Sequence, residues 1–544
     1  MSTVRELTIL SKSHYELESA DIKITVLGGI KLEGLETMRA TLKVESRNQA
    51  VRHNLDLYND TQVTKLVRKV AERLEIGTSV VAQVIANLTN QLETYRLEAQ
   101  KEKQAEVYQS PTLTPSEVRA AQAFLENKNL LERTGELIGK SGVIGEETNR
   151  LLMYLVFTSR KREQPLHVVS LGASGSGKTH LQEKVGELIP EQDKIEITTL
   201  SENAFYYFGQ QELRNKLILI EDLDGLSATG SASGSGALYA LRELQSKKRI
   251  SKTVAHKNTK GETQTIHLVV EGPVSVSGCT TKEQIYEDNA NRSFLLYLDE
   301  SPMQDAQIMN YQRKLSAGKI NTQQEAEAAK LLRNSQRLLE PIKVVNPFAE
   351  QLDIPQEVFK PRRTNSHYLQ FIEVVTFYHQ HQRKQKADPA TGELYIETTL
   401  EDIAAANSLL KETLLRKSDE LSGATRNYFE RLKSWLESLP EGEEGKAKTF
   451  TNRQVSQSLR IPITTVKRHH YQLLEYGHII IQQKLARGKY CYTVVDTEDY
   501  KTLQNQVDTV LDKILDRLTG PPPAQRKNGP DKKQKTKELT PLAQ

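Results

Sequence analysis

Eight consecutive residues carry the clearest chemistry in this 544-residue chain: Gly172-Ala-Ser174-Gly175-Ser176-Gly177-Lys178-Thr179. The spacing of the outer glycines, the lysine and the threonine is that of a phosphate-binding loop. Glycines let backbone N–H groups curl around phosphate oxygens without a Cβ in the way. A helix opening near Lys178 adds the positive end of its dipole at the same point. Lys178 would then reach the β- and γ-phosphates of ATP, and Thr179 would ligate Mg2+. The alternative is a glycine-rich turn before an ordinary helix.

Acids follow at a second position. The apolar run Leu217-Ile-Leu-Ile220 ends in Glu221 and Asp222. Carboxylates at the C-terminal end of a buried strand face the crevice where a nucleotide lies. One would hold magnesium and the other would polarise the attacking water. The usual order of the pair is Asp then Glu, so the order here moves each carboxylate by one methylene. Thr280 and Thr281 end another apolar run, where Thr281 would sense the γ-phosphate or simply close the strand with a hydrogen bond. Arg292, just before a further strand, suits a finger acting on the nucleotide of a neighbouring subunit; a surface ion pair with Asp288 is the other reading. Arg362 and Arg363 open a helix after Pro361, and one of them, taken as Arg363, is expected to act as a second sensor. A solvated helix start is its alternative.

These residues need a scaffold. His167–Leu171, Lys216–Ile220, Gly272–Ser277 and Ser293–Leu298 are short apolar runs separated by helical stretches, which predicts a covered parallel sheet. Ile22–Leu27 and Thr37–Glu45 alternate with a period of two and predict strands. Val63, Leu66, Val67, Val70, Ala71 and Leu74 mark one face of a helix that stops at Gly77, and a second helix follows from Val80. Thr114-Pro115-Ser-Glu117 is a helix start. Residues 227–236 are small and polar, 440–445 form an acidic linker, and the proline- and lysine-rich stretch beyond Gly520 cannot bury a core.

Toward the C-terminus, Thr449–Leu459 and Ile463–Tyr476 read as two helices around the turn Arg460-Ile-Pro462. Ile479–Ile481 and Tyr490–Val494 read as paired strands with a basic tip from Lys484 to Lys489. This is the pattern of a winged helix–turn–helix, with Lys467, Arg468, His470 and Gln472 pointing outward and Lys489 on the wing. DNA is the favoured partner, although such units also bind proteins. His469 and His470, like His379 and His381, are expected at helix surfaces rather than on a metal.

Bulk properties narrow the class. Hydrophobic residues make up 37% of the chain and the formal net charge is only +4, so overall charge does not by itself prescribe a nucleic-acid partner. Two cysteines, Cys279 and Cys491, exclude a disulfide framework and a cysteine zinc site. The N-terminus lacks the apolar core of a signal peptide and no apolar run is long enough for a membrane span, so a cytoplasmic protein with no membrane partner is expected.

Val143-Ile-Gly145-Glu-Glu-Thr-Asn-Arg150, the phosphate loop, Ile220-Glu-Asp-Leu-Asp-Gly225, Gly278-Cys-Thr-Thr281 and Asn291-Arg-Ser293 together resemble the minichromosome-maintenance-like branch of AAA+ helicases. Leu238–Ser246, Val270-Glu-Gly-Pro273, Leu298-Asp-Glu-Ser301 and the stretch around His379–Arg383 are similar to the helicase half of primase–helicase proteins from mobile elements. The resemblance runs from about Ile22 to Val495. Those proteins also carry a zinc-binding motif and a Toprim primase domain, neither of which is seen here, so a separate primase is implied as a partner. The resemblance further implies that the runs Ser251–His256 and Glu262–His267 form a hairpin before the sensor strand. Its tip would present Lys257 and Lys260 to DNA phosphates in a central pore.

The expected fold class is α/β: a P-loop AAA+ ATPase core (113–345) with a helical lid (346–439). A small N-terminal α+β region (1–112) precedes it, and a C-terminal winged helix (446–496) and a disordered basic tail (520–544) follow. The expected activity is ATP-driven DNA unwinding by a self-assembled ring, taken as a hexamer, in replication of a mobile element. A protein-remodelling ATPase and a nucleotide-gated DNA binder without turnover are the alternatives.

Overall fold

The computed structural model describes residues 7–11, 13–19, 22–31, 37–47, 49–108, 113–198, 203–226, 236–257, 263–281, 292–356, 358, 360–440, 448–485 and 489–519. The expected loop at 227–235, the hairpin tip including Lys260, Asp288, the linker at 441–447 and the tail from 520 lie outside these residues. The chain divides into two units, 1–112 and 113–544.

In the first unit five strands form an antiparallel sheet in sequence order: β1 (Thr8–Ser11), β2 (His14–Ser19), β3 (Ile22–Leu27), β4 (Arg39–Ser46) and β5 (Gln49–Asp56). The period of two in β4 turns Ala40, Leu42 and Val44 inward. There they join Leu66, Val67 and Val70 of the helix Asp60–Leu74 and Leu88 and Leu92 of the helix Thr78–Tyr108. Asn59 caps the first of these helices by accepting from the Gln62 amide. Sequence periodicity located β3 and β4 but not β1, β2 and β5.

The second unit is built on a five-stranded parallel sheet of β6 (Val168–Leu171), β7 (Lys194–Ile197), β8 (Lys216–Ile220), β11 (Val274–Thr280) and β12 (Phe294–Tyr297). The spatial order is β12-β6-β11-β8-β7. Alternate residues feed two cores, which is why these strands read as continuous apolar runs. Val168, Leu217, Leu219, Phe294 and Leu296 pack with the helices Glu147–Thr158, Lys178–Gly186, Pro361–Tyr378 and Leu400–Ser418. Val169, Leu171, Ile218, Ile220, Val274 and Val276 face the helix Gly236–Lys247. Strands β9 (Arg249–Lys257) and β10 (Thr263–Glu271) form a separate hairpin that returns directly into β11.

Beyond the sheet the chain builds a small second sheet and a separate core of its own. A small sheet of β13 (Lys343–Val345), β14 (Lys386–Ala387) and β15 (Leu394–Glu397) sits among the helices that follow β12. The helix Gly423–Ser438 contributes Tyr428, Phe429, Leu432 and Leu436 to a core shared with the helices Asn452–Ser458 and Ile463–Glu475. Strands β16 (Thr449–Thr451), β17 (Ile479–Leu485) and β18 (Lys489–Val494) complete this terminal subdomain in the order β16-β18-β17. Residues 449–451, expected at a helix start, are thus a strand.

A further helix, Asp499–Thr519, was not expected. Val507, Leu511 and Ile514 bring it back onto the core beneath the parallel sheet. Its first residue is clamped by charge: Asp499 takes Arg426 at 2.7 Å and Lys433 at 3.0 Å, while Arg426 also holds Asp419 at 2.6 Å. The Arg416 guanidinium lies 5.3 Å from the Tyr297 ring centre and 5.7 Å from that of Tyr500, and the Arg426 guanidinium lies 4.8 Å from that of Tyr500. No helix among the described residues is long and apolar enough to cross a membrane.

Candidate nucleotide site

Strand β6 ends at Leu171 and the chain turns through Gly172–Gly177 into the helix Lys178–Gly186. Gly175 and Gly177 have φ of +84° and +92°, a region a side chain rarely tolerates. A Cβ on Gly172 would stand 2.9 Å from Ser176 Oγ. Lys178 is buried, and its Nζ donates to the carbonyls of Gly172 at 2.9 Å and Ala173 at 2.6 Å. The ammonium is therefore held over its own loop by groups that an incoming phosphate replaces. Ser174 is exposed on the loop.

The strand order sets what faces the loop. β11 lies between β6 and β8, so its end is flanked by the phosphate loop and by the acids. Glu221 accepts from Thr198 Oγ1 at 3.0 Å, and exposed Asp222 accepts from the Asp224 amide at 2.8 Å. Asp224 in turn binds both threonines of β11: one oxygen accepts from Thr280 Oγ1 at 2.6 Å, the other from the Thr281 amide at 3.0 Å and hydroxyl at 2.8 Å. Buried Gln182 locks the loop helix to both strands, donating to Ile220 O at 3.1 Å and accepting from Ser277 Oγ at 2.7 Å. Cys279 sits beneath, near Thr179 and Lys178, and burial pushes its thiol up to about 12.

The donor set fits ATP with Mg2+. Thr179 and the two carboxylates are hard oxygen ligands, the kind magnesium takes beside phosphate oxygens and water. Among the described residues no cluster of three or more His, Cys, Asp or Glu side chains forms a cage that would hold a metal without the nucleotide.

Two acids given no individual role in the sequence lie at the end of β12. Glu300, just beyond β12, accepts from the Ala173 amide at 3.3 Å. Glu146, with φ +54°, accepts from the Asp299 amide at 2.7 Å and from Asn149, whose Nδ2 also reaches the Tyr297 carbonyl at 3.0 Å. Burial raises the Glu146 carboxyl above its ordinary value. The segment after Val143 is thereby fixed against the end of β12 and beside the phosphate loop. Asp224 had a legible signal, since it stands two residues after Asp222. Glu146 lay within a resemblance motif, but its partner Asp299, over 150 residues away, was not readable from it.

Arg292 and Arg363 are not on this edge. Arg292 precedes β12, at the opposite, amino edge of the sheet, and its Nε donates to Ser246 at 2.8 Å. Arg363 is exposed in the first turn of Pro361–Tyr378, beside His367. That imidazole lies 5.5 Å from the Phe294 ring at the start of β12. Burial, with Arg292 adding to it, drives His167 down to about 4; burial, with Lys417, His167 and Arg363 adding to it, drives His367 down to about 3. Both arginines therefore gather around two neutral histidines at the edge remote from their own phosphate loop. A sensor role for Arg363 on its own chain's nucleotide conflicts with this placement.

The basic candidates elsewhere fall as follows. Lys257 ends β9 at the described limit of the hairpin, its side chain outside the described residues, as is that of Lys489. Lower on the hairpin, Lys252 donates to Asn203 at 2.6 Å. Lys467 and Arg468 are exposed on the helix Ile463–Glu475, with Tyr471 beside them. His469 and His470, expected on that surface, are buried instead. His469 stacks on Tyr428 and bonds Thr425 Oγ1 at 2.9 Å, and His470 bonds Tyr428 at 2.6 Å and Asn452 at 2.5 Å. Burial lowers both rings to about 4. The positions Val466, His469, His470 and Leu473 form one helical face, so the inward set included the histidines all along. His379 is likewise buried, 3.0 Å from Asp402.

Residues 116–340 match the family described as the MTBMA_p00010 P-loop domain, which is less than half of the chain. The crystal structure of a full-length MCM homolog from Methanopyrus kandleri is similar at a TM-score of 0.34 and 10% identity, over 76% of each chain. None of the curated protein sequences compared with the chain matches it.

Proposed function

We propose that this chain is an ATP hydrolase that works between copies of itself and moves DNA as a helicase. The observation that carries the reading is the separation of its two half sites. Phosphate loop, Glu221, Asp222 and Thr281 share the carboxyl edge of the sheet, while Arg292 and Arg363 share the amino edge. A half site of each kind on opposite edges is completed when copies stack head to tail, an arrangement that gives a ring when its rotation closes.

In this reading Lys178 and the loop amides hold the β- and γ-phosphates, and Thr179 and Asp222 hold magnesium. Glu221, oriented by Thr198, polarises the attacking water. Bound ATP with Mg2+ supplies the anhydride whose cleavage drives the cycle. Thr281, tied to Asp224, couples the γ-phosphate position to the acids' loop. Arg292 and Arg363 stabilise transition-state charge on the neighbouring copy, the role for which an arginine is worth about 10³-fold or more. DNA is the polymer moved: the β9–β10 hairpin with Lys257 and Lys260 faces it, and the terminal subdomain, taken as a winged helix, adds Lys467, Arg468 and Lys489. A hexameric ring, a separate primase and a role in mobile-element replication rest on the motif resemblance.

Turnover of ATP by the purified full chain, with and without single-stranded DNA, together with displacement of a labelled strand, tests this. DNA-stimulated turnover with displacement is expected. Stimulation by a protein alone, or nucleotide binding with no turnover, would replace the helicase reading.

A further inference from the structure

We propose that Lys417 is a third cation of the amino-edge half site and contacts the terminal phosphates of a triphosphate held by a neighbouring copy. The inference rests on the two-half-site reading above and extends it to a residue with no motif of its own.

Lys417 lies in the last turn of the helix Leu400–Ser418, with Nζ 5.9 Å from the centre of the Phe294 ring. Phe294 opens β12 two residues after Arg292, and its ring is also the neighbour of His367. Lys417, Arg363 and His167 are the charges and rings that His367 feels. Three cations from three separate stretches of chain thus meet around one pair of imidazoles.

Lys417, half-buried, has no counter-charge among the described residues. The adjacent Arg416 holds Glu412 at 2.7 Å. Three buried cations of this unit meet an acid: Arg160 reaches Asp193 at 2.6 Å, Arg426 reaches Asp419 at 2.6 Å, and Lys433 reaches Asp499 at 3.0 Å. Lys178 and Lys161 are held instead by main-chain carbonyls. Among the described residues no carboxylate lies within ion-pair distance of Lys417, and burial alone pulls its ammonium down to about 8. Beside it, the buried Nδ1 of His367 has no hydrogen-bond partner among the described residues. A desolvated ammonium facing no acid is unfavourable in the free chain. It becomes favourable once a multiply charged anion arrives, because low local polarity strengthens the attraction. With neutral histidines and no described acid, the cluster suits a phosphate oxygen and not a carboxamide or a cation. The nucleotide on a stacked copy is the anion that the half-site reading brings to this edge.

The test compares Lys417→Met, Lys417→Arg and Arg292→Ala as full-length proteins, each alone and mixed with Lys178→Ala. Lys417→Met is expected to lower ATP turnover about tenfold or more, with nucleotide affinity and melting temperature of the chain unchanged or higher. Turnover should return in part on mixing with Lys178→Ala, and Lys417→Arg should retain most of it. Full turnover in Lys417→Met would overturn the inference. So would loss of turnover with a lowered melting temperature and no rescue, in mixtures where Arg292→Ala is rescued. Failure of Arg292→Ala itself to be rescued would instead overturn the half-site reading beneath it.

Discussion

Asp224 accepts twice from Thr281 on a single oxygen, from the main-chain N–H at 3.0 Å and from the hydroxyl at 2.8 Å. The threonine at the end of β11 is therefore set by an acid that itself follows Asp222 by two residues. Asn at 224 can accept with only one atom, and its amide would place donors against donors. Asp224→Asn is expected to lower turnover by about 10- to 100-fold, the usual consequence of losing an orienting partner in a metal site. Nucleotide affinity should be retained. Equal turnover in the variant, with affinity measured alongside, would remove Asp224 from the site.

Lys178 donates to carbonyls of its own loop. Lys178→Ala should bind ATP weakly and turn it over at least about a hundredfold more slowly, the effect of deleting one charged donor from a transition-state site. Nucleotide titration and steady-state hydrolysis on the same preparation would check this, and normal turnover would put the active centre elsewhere.

His469 and His470 predict an acid-sensitive fold. Both rings are held near 4 by burial, below an ordinary histidine. Between about pH 6.5 and 4 the unfolded chain binds protons that the folded chain refuses, so stability falls as pH falls through that window. The loss is on the order of 3 kcal/mol for each ring; His167 and His367 act in the same direction. Melting temperature recorded from pH 7.5 to 4.5 should decline steadily, and a flat profile above pH 4.5 would contradict the buried neutral rings.

Lys467 and Arg468 are exposed side by side. If both neutralise DNA phosphates, replacing them with Ala should weaken binding and reduce the slope of log affinity against log salt by about 2. The slope, measured across a salt series, separates phosphate contact from a change in folding. An unchanged slope would direct this face toward a protein.

Gly423 begins its helix with the Tyr297 ring against it: an added Cβ would stand 2.0 Å from a ring carbon. Alanine would favour the helix by about 1 kcal/mol, but overpacking against a rigid ring costs about 1–3 kcal/mol. Gly423→Ala should therefore lower thermal stability, and a raised melting temperature would show that the ring yields.

The parts of the site that a reader of the sequence can find are those whose signal is local. The glycine spacing before Lys178 and the apolar run before Glu221 each declare a strand end and its chemistry within ten residues. Asp224 stands in the same local run, but its partners Thr280 and Thr281 needed the order of the sheet, because β11 enters between β6 and β8 long after both are laid down. The shared edge of Arg292, Arg363 and Lys417 needed the packing of a helix end against β12, which no spacing encodes. His469 and His470 were misjudged on polarity when periodicity already turned them inward. The helix Asp499–Thr519 had the same periodicity, in Leu503, Val507, Val510 and Ile514, and was hidden by its closeness to the polar tail.

The alternation of Tyr297, Arg416, Tyr500 and Arg426 has a mechanical meaning. Tyr297 closes a strand whose next residues touch the phosphate loop, and Arg426 shares Asp499 with the opening of the final helix. Each guanidinium lies within cation–π distance of a ring, so the series links the strand end to the final helix without a gap. These contacts tie the end of β12, beside the phosphate loop, to the first residues of the final helix and, through Arg426, to the helix that opens the terminal subdomain.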